Sequence, residues 1–155
     1  MGLRENLRKD TVKALHVHTP VEIAPDEVVG DAVAIMRQEG VGCVVVTEGG
    51  KPVGMFTERD MLRRVLAHNR SMSTPLKKVF TPNPEVIQES SSVAEVIRRM
   101  HQGGFRHMPV VDASRRLTGL ASIKRIVKYL VEHFPSAVFN LPPDPAQKQL
   151  AREGA

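Results

Sequence analysis

The chain has 155 residues, 41% of them hydrophobic and 25% charged, a balance typical of a soluble globular protein with one domain or two small ones. Aromatic residues make up only 4%, so stacking surfaces for single-stranded nucleic acid are scarce. No apolar run approaches the length that crosses a bilayer, and the single cysteine excludes an intrachain disulfide.

The net charge of +5 favours an anionic partner, since the basic residues cluster along the chain. The N-terminus, MGLRENLRKD, is charged and lacks the apolar centre of a signal peptide. One lone cysteine fits a reducing compartment. We therefore predict a cytoplasmic protein without membrane association.

The predicted elements, taken in chain order, form an internal repeat. A charged N-terminal segment comes first, and the chain then matches itself at a spacing of 64 residues. The matches include Pro20 with Pro84, Ile23 with Ile87, Val29 with Val93, Met36 with Met100, Gly40 with Gly104 and Val46 with Val110. One inserted residue in the following turn aligns Gly54 with Gly119.

Each copy has the same predicted order of elements. A short extended piece precedes an amphipathic helix that ends at a glycine, with Asp26 and Ser90 as the predicted N-caps. Two strands then flank a tight turn, and a second helix closes the copy. The order β-α-β-β-α, twice, predicts a mixed α/β (α+β) fold.

The repeat also divides the chain. We predict an N-terminal segment at 1–10, a first domain at 11–70, a polar linker at 71–75 and a second domain at 76–134. The remainder, 135–155, is rich in proline and polar residues and is predicted to be an extended or disordered tail.

Four features together carry a resemblance to a known family. They are the repeat, the strand-helix-strand-strand-helix order, the sequence RHMPVVD in the second copy, and the G-x-x-T-x-x-D pattern of GMFTERDML in the first. Their combination over residues 11–134 resembles the cystathionine-β-synthase (CBS) domain pair, or Bateman module. The resemblance implies tandem CBS domains packed as a pseudo-twofold pair, with clefts between them for an adenosine nucleotide or S-adenosylmethionine.

The resemblance also implies which residues bind that ligand. Thr57 and Asp60 of the first copy would face a cleft, with the Asp60 carboxylate accepting hydrogen bonds from ribose hydroxyls. Arg106, His107 and Lys124 of the second copy would face the phosphates, which suits their charges. Thr57 and Asp60 also fit a helix start, and the two roles are compatible.

The mirror-image cleft departs from the family pattern. Ser122 stands where the first copy has Thr57, and Arg125 stands in place of Asp60, which removes the ribose acceptor. Gly42 and Cys43 occupy the places of the basic pair, so the first copy supplies no phosphate clamp. We expect one competent cleft per chain and one degenerate cleft.

The expected function is that of a stand-alone, non-enzymatic sensor, because no residue set in the chain suggests catalysis. It would signal ligand occupancy to an unidentified regulated protein, would require no cofactor or metal, and would form a homodimer, as the family implies. Apolar helix faces would meet in that dimer, with candidates Met61, Leu62, Val65, Leu66, Ile126, Val127 and Leu130.

Two other classes of function stay open on the sequence. The first is a nucleic-acid-binding protein that uses Lys124, Arg125 and Lys128 on phosphates. The second, more weakly supported, is a metal or redox sensor built on His16, His18 and Cys43.

Overall fold

A computed structural model describes residues 2–134, and the predicted tail at 135–155 lies outside them. The described residues form seven short strands and five α-helices: α1 Leu3–Lys9, β1 Glu22–Ile23, α2 Val29–Glu39, β2 Cys43–Glu48, β3 Lys51–Thr57, α3 Glu58–Asp60, β4 Thr81–Pro82, β5 Ile87–Gln88, α4 Val93–Gly103, β6 His107–Val111, β7 Leu117–Ser122 and α5 Ile123–His133. A π-helical turn, Met61–Val65, and a 3-10 turn, Leu66–His68, continue α3.

The strands form two sheets, one for each copy. The first has the order β1-β2-β3-β4 and the second the order β5-β6-β7. In both sheets a short parallel strand pairs with the first strand of an antiparallel hairpin. The predicted β-α-β-β-α order and mixed fold class are therefore confirmed.

The two hairpins have the same register at the edge where the second helices begin. Cys43 lies opposite Thr57 in the first hairpin, and His107 lies opposite Ser122 in the second. Directly opposed residues of a sheet share a face, so each pair presents both side chains on the same side.

The first helices begin two residues later than predicted. Val28 and Ser92, rather than Asp26 and Ser90, are the N-cap residues. Asp31 accepts a hydrogen bond from the Val28 N–H at 3.2 Å, and the Ser92 hydroxyl accepts one from the backbone three residues on at 3.1 Å. The first copy thus has the bond from the N-cap N–H to a side chain inside the helix, and the second has the reciprocal bond from the helix N–H to the cap side chain.

The 71–75 segment is hydrogen-bonded to the start of α2. The Val29 N–H donates to the Thr74 carbonyl at 2.9 Å, and the Gly30 N–H donates to the Met72 carbonyl at 2.8 Å. These bonds satisfy helix-start donors that have no partner inside the helix. The predicted linker is thus built into the first copy.

The leading segment of each copy packs into the core of the other. Val12 and Leu15, in a 3-10 turn, are buried with the apolar residues of the second copy. Leu76 and Val79 are buried with those of the first. The two copies consequently exchange segments, and each core is complete only when both are present.

A small apolar cluster joins the two sheets. Cys43, Val45 and Met55 of the first copy are buried against Leu120 of the second, with Leu117 at the edge. Burial raises the pKa of the Cys43 thiol to about 11, which keeps it protonated and unreactive near neutral pH. Its position supports a packing role.

Two of the seven predicted dimer-face residues belong to the cores instead. Val65 is 0% exposed and Ile126 8% exposed. Their helices turn these side chains toward the sheets, since a surface helix buries one stripe only. The large apolar side chains that are exposed on these two helical segments are Leu62, Leu66, Ile123 and Val127.

The segment exchange predicts that Leu15→Ala lowers the free energy of unfolding by about 2–5 kcal/mol, because it opens a cavity in the second core. Urea denaturation followed by circular dichroism measures the loss. Lys13→Ala, an exposed position in the same turn, is the control and is expected to stay within about 0.5 kcal/mol of the parent. Equal effects of the two changes would contradict the exchange.

Candidate functional site

A pocket of about 380 Å³ opens between the two copies. The first copy contributes the end of β3 and the start of α3, and the second contributes the loop between α4 and β6. Four of the five predicted site residues line it: Thr57, Asp60, Arg106 and His107. The other lining residues are Gly42, Met55, Glu58, Arg59, Thr81, Pro84, Glu85, Gly103, Gly104 and Phe105.

The Asp60 carboxylate is the most buried charged group of the pocket, with 7% of the residue exposed. Its Oδ2 accepts hydrogen bonds from the Thr57 N–H at 3.0 Å and the Thr57 hydroxyl at 3.1 Å. The same hydroxyl oxygen accepts from the Asp60 N–H at 3.2 Å. Thr57 and Asp60 thus form a capping box that fixes the carboxylate at the helix start.

The other carboxylate oxygen, Oδ1, joins the pocket to the segment between the copies. It accepts a hydrogen bond from the Thr81 hydroxyl at 3.0 Å and lies 3.4 Å from the Nε atom of Arg64. Arg64 also donates to the Phe80 carbonyl at 3.3 Å. One buried carboxylate therefore holds β4 and the π-helical turn together.

Neither Thr81 nor Arg64 was among the site residues predicted from the sequence. Arg64 lies one helical turn after Asp60, so the i,i+4 spacing was a usable signal. Thr81 had no comparable signal, because its contact depends on how the chain returns to the first sheet after the linker.

The cations of the pocket differ in one respect from the predicted set. Lys124 is not among the lining residues and lies exposed at the start of α5. Arg59, which does line the pocket, stands 65 residues before Lys124 and so occupies the equivalent place in the first copy. The repeat itself was the signal that would have found Arg59.

His107 lies where the pocket meets a wider group of cations. Burial lowers the pKa of its imidazole, and the charges of His18, Lys124 and Arg106 lower it further, while Glu58 opposes them. The neutral form of His107 is therefore favoured at pH 7.

The apolar side chains that line the pocket are Met55, Pro84 and Phe105. Helix α4 ends beside them, and its C-cap Gly104 has a left-handed φ of 67°. The ring of Phe105 covers Gly103 so closely that a Cβ atom there would lie 2.1 Å from it. Glycine at this position lets the aromatic ring pack directly against the helix end.

The second cleft repeats the backbone of the first with different chemistry. The Ser122 hydroxyl accepts from the Arg125 N–H at 3.2 Å, as Thr57 does from Asp60. Arg125 then presents a guanidinium where the first copy presents a carboxylate. Since a guanidinium donates and never accepts, it offers nothing to ribose hydroxyl donors.

The hydrogen-bond partners of Asp60 and Arg125 also occupy equivalent positions in the two copies. Thr81 lies opposite Met55 in the first sheet and bonds to Asp60, whereas His18 bridges to Leu120 in the second and bonds to Arg125. The Arg125 Nε atom donates to His18 at 3.3 Å. The two clefts therefore have the same framework and opposite charge.

The chain belongs to the CBS domain family, whose model matches residues 12–67 and 76–132. A CBS domain-containing protein of Arabidopsis thaliana, CBSCBSPB3, is 37% identical over 91 residues, which is 58% of this chain and 16% of the plant protein. A 17.7 kDa protein of Acidianus ambivalens is 28% identical over 111 residues, 71% of this chain and 66% of that protein. The chain thus spans no more than two thirds of either relative.

Solved structures of similar fold are CBS domain proteins. One from Agrobacterium tumefaciens is 32% identical with a TM-score of 0.69, covering 76% of this chain and 97% of that one. One from Pyrobaculum aerophilum, complexed with AMP, is 22% identical with a TM-score of 0.70, covering 79% and 98%. The CBS domain pair of MJ0100, in complex with 5-methylthioadenosine and S-adenosyl-L-methionine, is 24% identical with a TM-score of 0.69, covering 76% and 97%.

Two further kinds of feature are absent from the described residues. Within residues 2–134, no helix has the length and apolar character needed to span a membrane. The same part of the chain contains no group of three or more His, Cys, Asp or Glu side chains that could hold a metal ion. His18 is instead bonded to Arg125.

The two perturbed histidines predict a pH dependence of stability. Because the pKa values of His18 and His107 are lowered in the folded protein, the unfolded chain binds more protons just below pH 6.5. The free energy of unfolding is therefore expected to be highest above pH 6.5 and to fall as the pH drops through the lowered values. Urea denaturation between pH 7.5 and 5 tests this, and His107→Asn should flatten the slope. An unchanged slope in the variant would contradict the assignment.

Proposed function

We propose that the chain is a non-enzymatic sensor that binds an adenosine nucleotide or S-adenosylmethionine in the cleft between its CBS domains. One observation carries the proposal: the buried carboxylate of Asp60 and the basic residues Arg106 and His107 line the same pocket from opposite copies. An acceptor for hydroxyl groups from one copy, with a guanidinium and an imidazole N–H donor for phosphates from the other, suits a nucleotide.

The known proteins support this choice of ligand. The Pyrobaculum protein is complexed with AMP, and the MJ0100 pair is in complex with two adenosyl compounds. The pocket volume of about 380 Å³ lies within the range of ~300–1,000 Å³ common for small-molecule sites.

The pocket suggests how each part of the ligand would bind. The base would lie against the apolar lining side chains Phe105, Pro84 and Met55, and the Phe105 ring could stack on the base. Ribose hydroxyls would donate to Asp60, and the phosphate would lie toward Arg106 and His107. Because Asp60 already accepts from Thr57 and Thr81 and pairs with Arg64, the ribose must share or displace some of these contacts.

That competition suggests a route for signalling. Displacing Arg64 from Asp60 would alter the π-helical turn Met61–Val65, which carries the exposed Leu62 and is followed by the exposed Leu66. π-helical turns often occur at functional sites. We propose that this exposed apolar face takes part in a homodimer or contacts the regulated protein. A ligand can shift that contact only by binding one state more tightly than the other.

Asp60→Asn is predicted to weaken binding of AMP and of adenosine alike by about 1.5–3 kcal/mol, because it removes a charged acceptor from the ribose. Isothermal titration measures both affinities. Asp31→Asn is the matched control, since Asp31 has the same role at the start of α2 but lies outside the pocket. Wild-type affinity in a folded Asp60→Asn protein would contradict the role of Asp60.

Arg106→Gln is predicted to reduce the preference for AMP over adenosine by roughly ten- to a hundredfold, the loss of one charge-assisted contact to phosphate. Adenosine affinity should stay nearly unchanged. Arg98→Gln, an exposed arginine on α4 that bonds to Gln102, removes the same charge away from the pocket. Equal affinities of the wild type for AMP and adenosine would contradict the phosphate clamp.

Tight, salt-sensitive binding of an oligonucleotide, with no effect of Asp60→Asn, would favour a nucleic-acid binder.

A further inference from the structure

Several charges in the pocket between the copies are already compensated. Asp60 pairs with Arg64 at 3.4 Å, and Glu85 pairs with Arg99. Both carboxylates line the pocket, whereas both arginines lie outside its lining. His107 also lines it, and the neutral form of its imidazole is favoured because burial lowers its pKa. These three lining side chains therefore leave little charge for a ligand to meet.

The uncompensated charges of the lining belong to Glu58, Arg59 and Arg106. Within residues 2–134, none of these three side chains forms an ion pair. The two guanidiniums attract an anion, and the carboxylate repels it. Two positive charges against one negative charge leave a single positive charge for a ligand. That balance suits one phosphate group better than a chain of them.

The carboxylate of Glu58 lies between the two copies. The Glu58 N–H donates to the Gly42 carbonyl at 3.0 Å, and a Cβ atom on Gly42 would lie 2.6 Å from the Glu58 Oε1 atom. The missing side chain of Gly42 thus gives the carboxylate its room. After burial, the charge of Glu58 raises the pKa of Cys43 in the first copy. In the second copy it opposes the lowering of the pKa of His107, so its negative charge reaches the proposed phosphate clamp.

We propose that Glu58 is a specificity residue, which restricts the pocket to adenosyl ligands with no more than one phosphate group. The inference rests on the proposed function, since it selects among adenosyl ligands for the same pocket. A phosphate monoester carries a charge of about −1.5 to −2 at pH 7, which Arg59 and Arg106 can compensate. Each further phosphate would add negative charge near Glu58.

The described lining offers no further cation for a second or third phosphate. Lys124 acts on His107 from outside the lining and is exposed at the start of α5. A ligand with a positive centre is affected in the opposite sense, because a carboxylate attracts it. The sulfonium group of S-adenosylmethionine is such a centre. The effect of Glu58 on affinity should therefore follow the charge of the ligand.

The test is isothermal titration of the whole chain with adenosine, AMP, ATP and S-adenosylmethionine, without divalent cations. We expect the wild type to bind AMP at least about tenfold more tightly than ATP. Glu58→Gln removes the charge and keeps the shape of the side chain. It should strengthen ATP binding by about tenfold and AMP binding by less, leave adenosine within about twofold, and weaken binding of S-adenosylmethionine.

Two further variants separate charge from structure. Glu58→Asp keeps the charge and should keep the wild-type order of affinities. Glu95→Gln removes a carboxylate from the first turn of α4, outside the pocket, and should bind all four ligands like the wild type. Circular dichroism checks that each variant is folded. Added salt should narrow the difference between AMP and ATP in the wild type, because Glu58 is exposed and its charge can be screened.

The outcomes distinguish this inference from the proposed function. If the wild type binds ATP as tightly as AMP, or if Glu58→Gln changes the affinity for every ligand equally, the role of Glu58 is wrong and the proposed function stands. If neither the wild type nor folded Glu58→Gln binds any of the four ligands, the proposed function fails and the inference fails with it.

Discussion

The organisation of the cleft depends on one buried carboxylate. Asp60 is fixed by Thr57 at the helix start, and its other oxygen holds Thr81 and Arg64. A buried charge is tolerated only when its hydrogen-bonding positions are filled, so these contacts are a condition of its burial. In the proposed function the same carboxylate would also accept hydrogen bonds from the ligand, so the ligand and the local packing would compete for one pair of oxygen atoms.

The repeat shows how two clefts with one backbone can diverge. The hairpin register and the cap hydroxyls of the second helices are alike in both copies, yet the first presents Asp60 with Thr81 and the second Arg125 with His18. The charge changes sign between Asp60 and Arg125, and the partner changes from a hydroxyl to an imidazole. Because the copies also exchange their leading segments, each of the two cores contains residues from both copies.

Much of this architecture was accessible from the sequence because it depends on local signals. Helical spacing of apolar residues, glycines at helix ends and the 64-residue repeat predicted the order of elements, and the family motif led to Thr57, Asp60, Arg106 and His107. The exchange of segments, the Thr81 contact and the capture of Arg125 by His18 arise from tertiary packing, which has no period in the sequence. The exclusion of Lys124 from the pocket has the same origin.

The central claim is that each chain has one cleft able to bind an adenosyl ligand. Native mass spectrometry of the protein, as purified and after addition of AMP or ATP, counts bound ligands directly. We expect one bound nucleotide per chain, which is two bound nucleotides in a dimer. A protein that binds none, or that binds two equivalent nucleotides per chain, would contradict it.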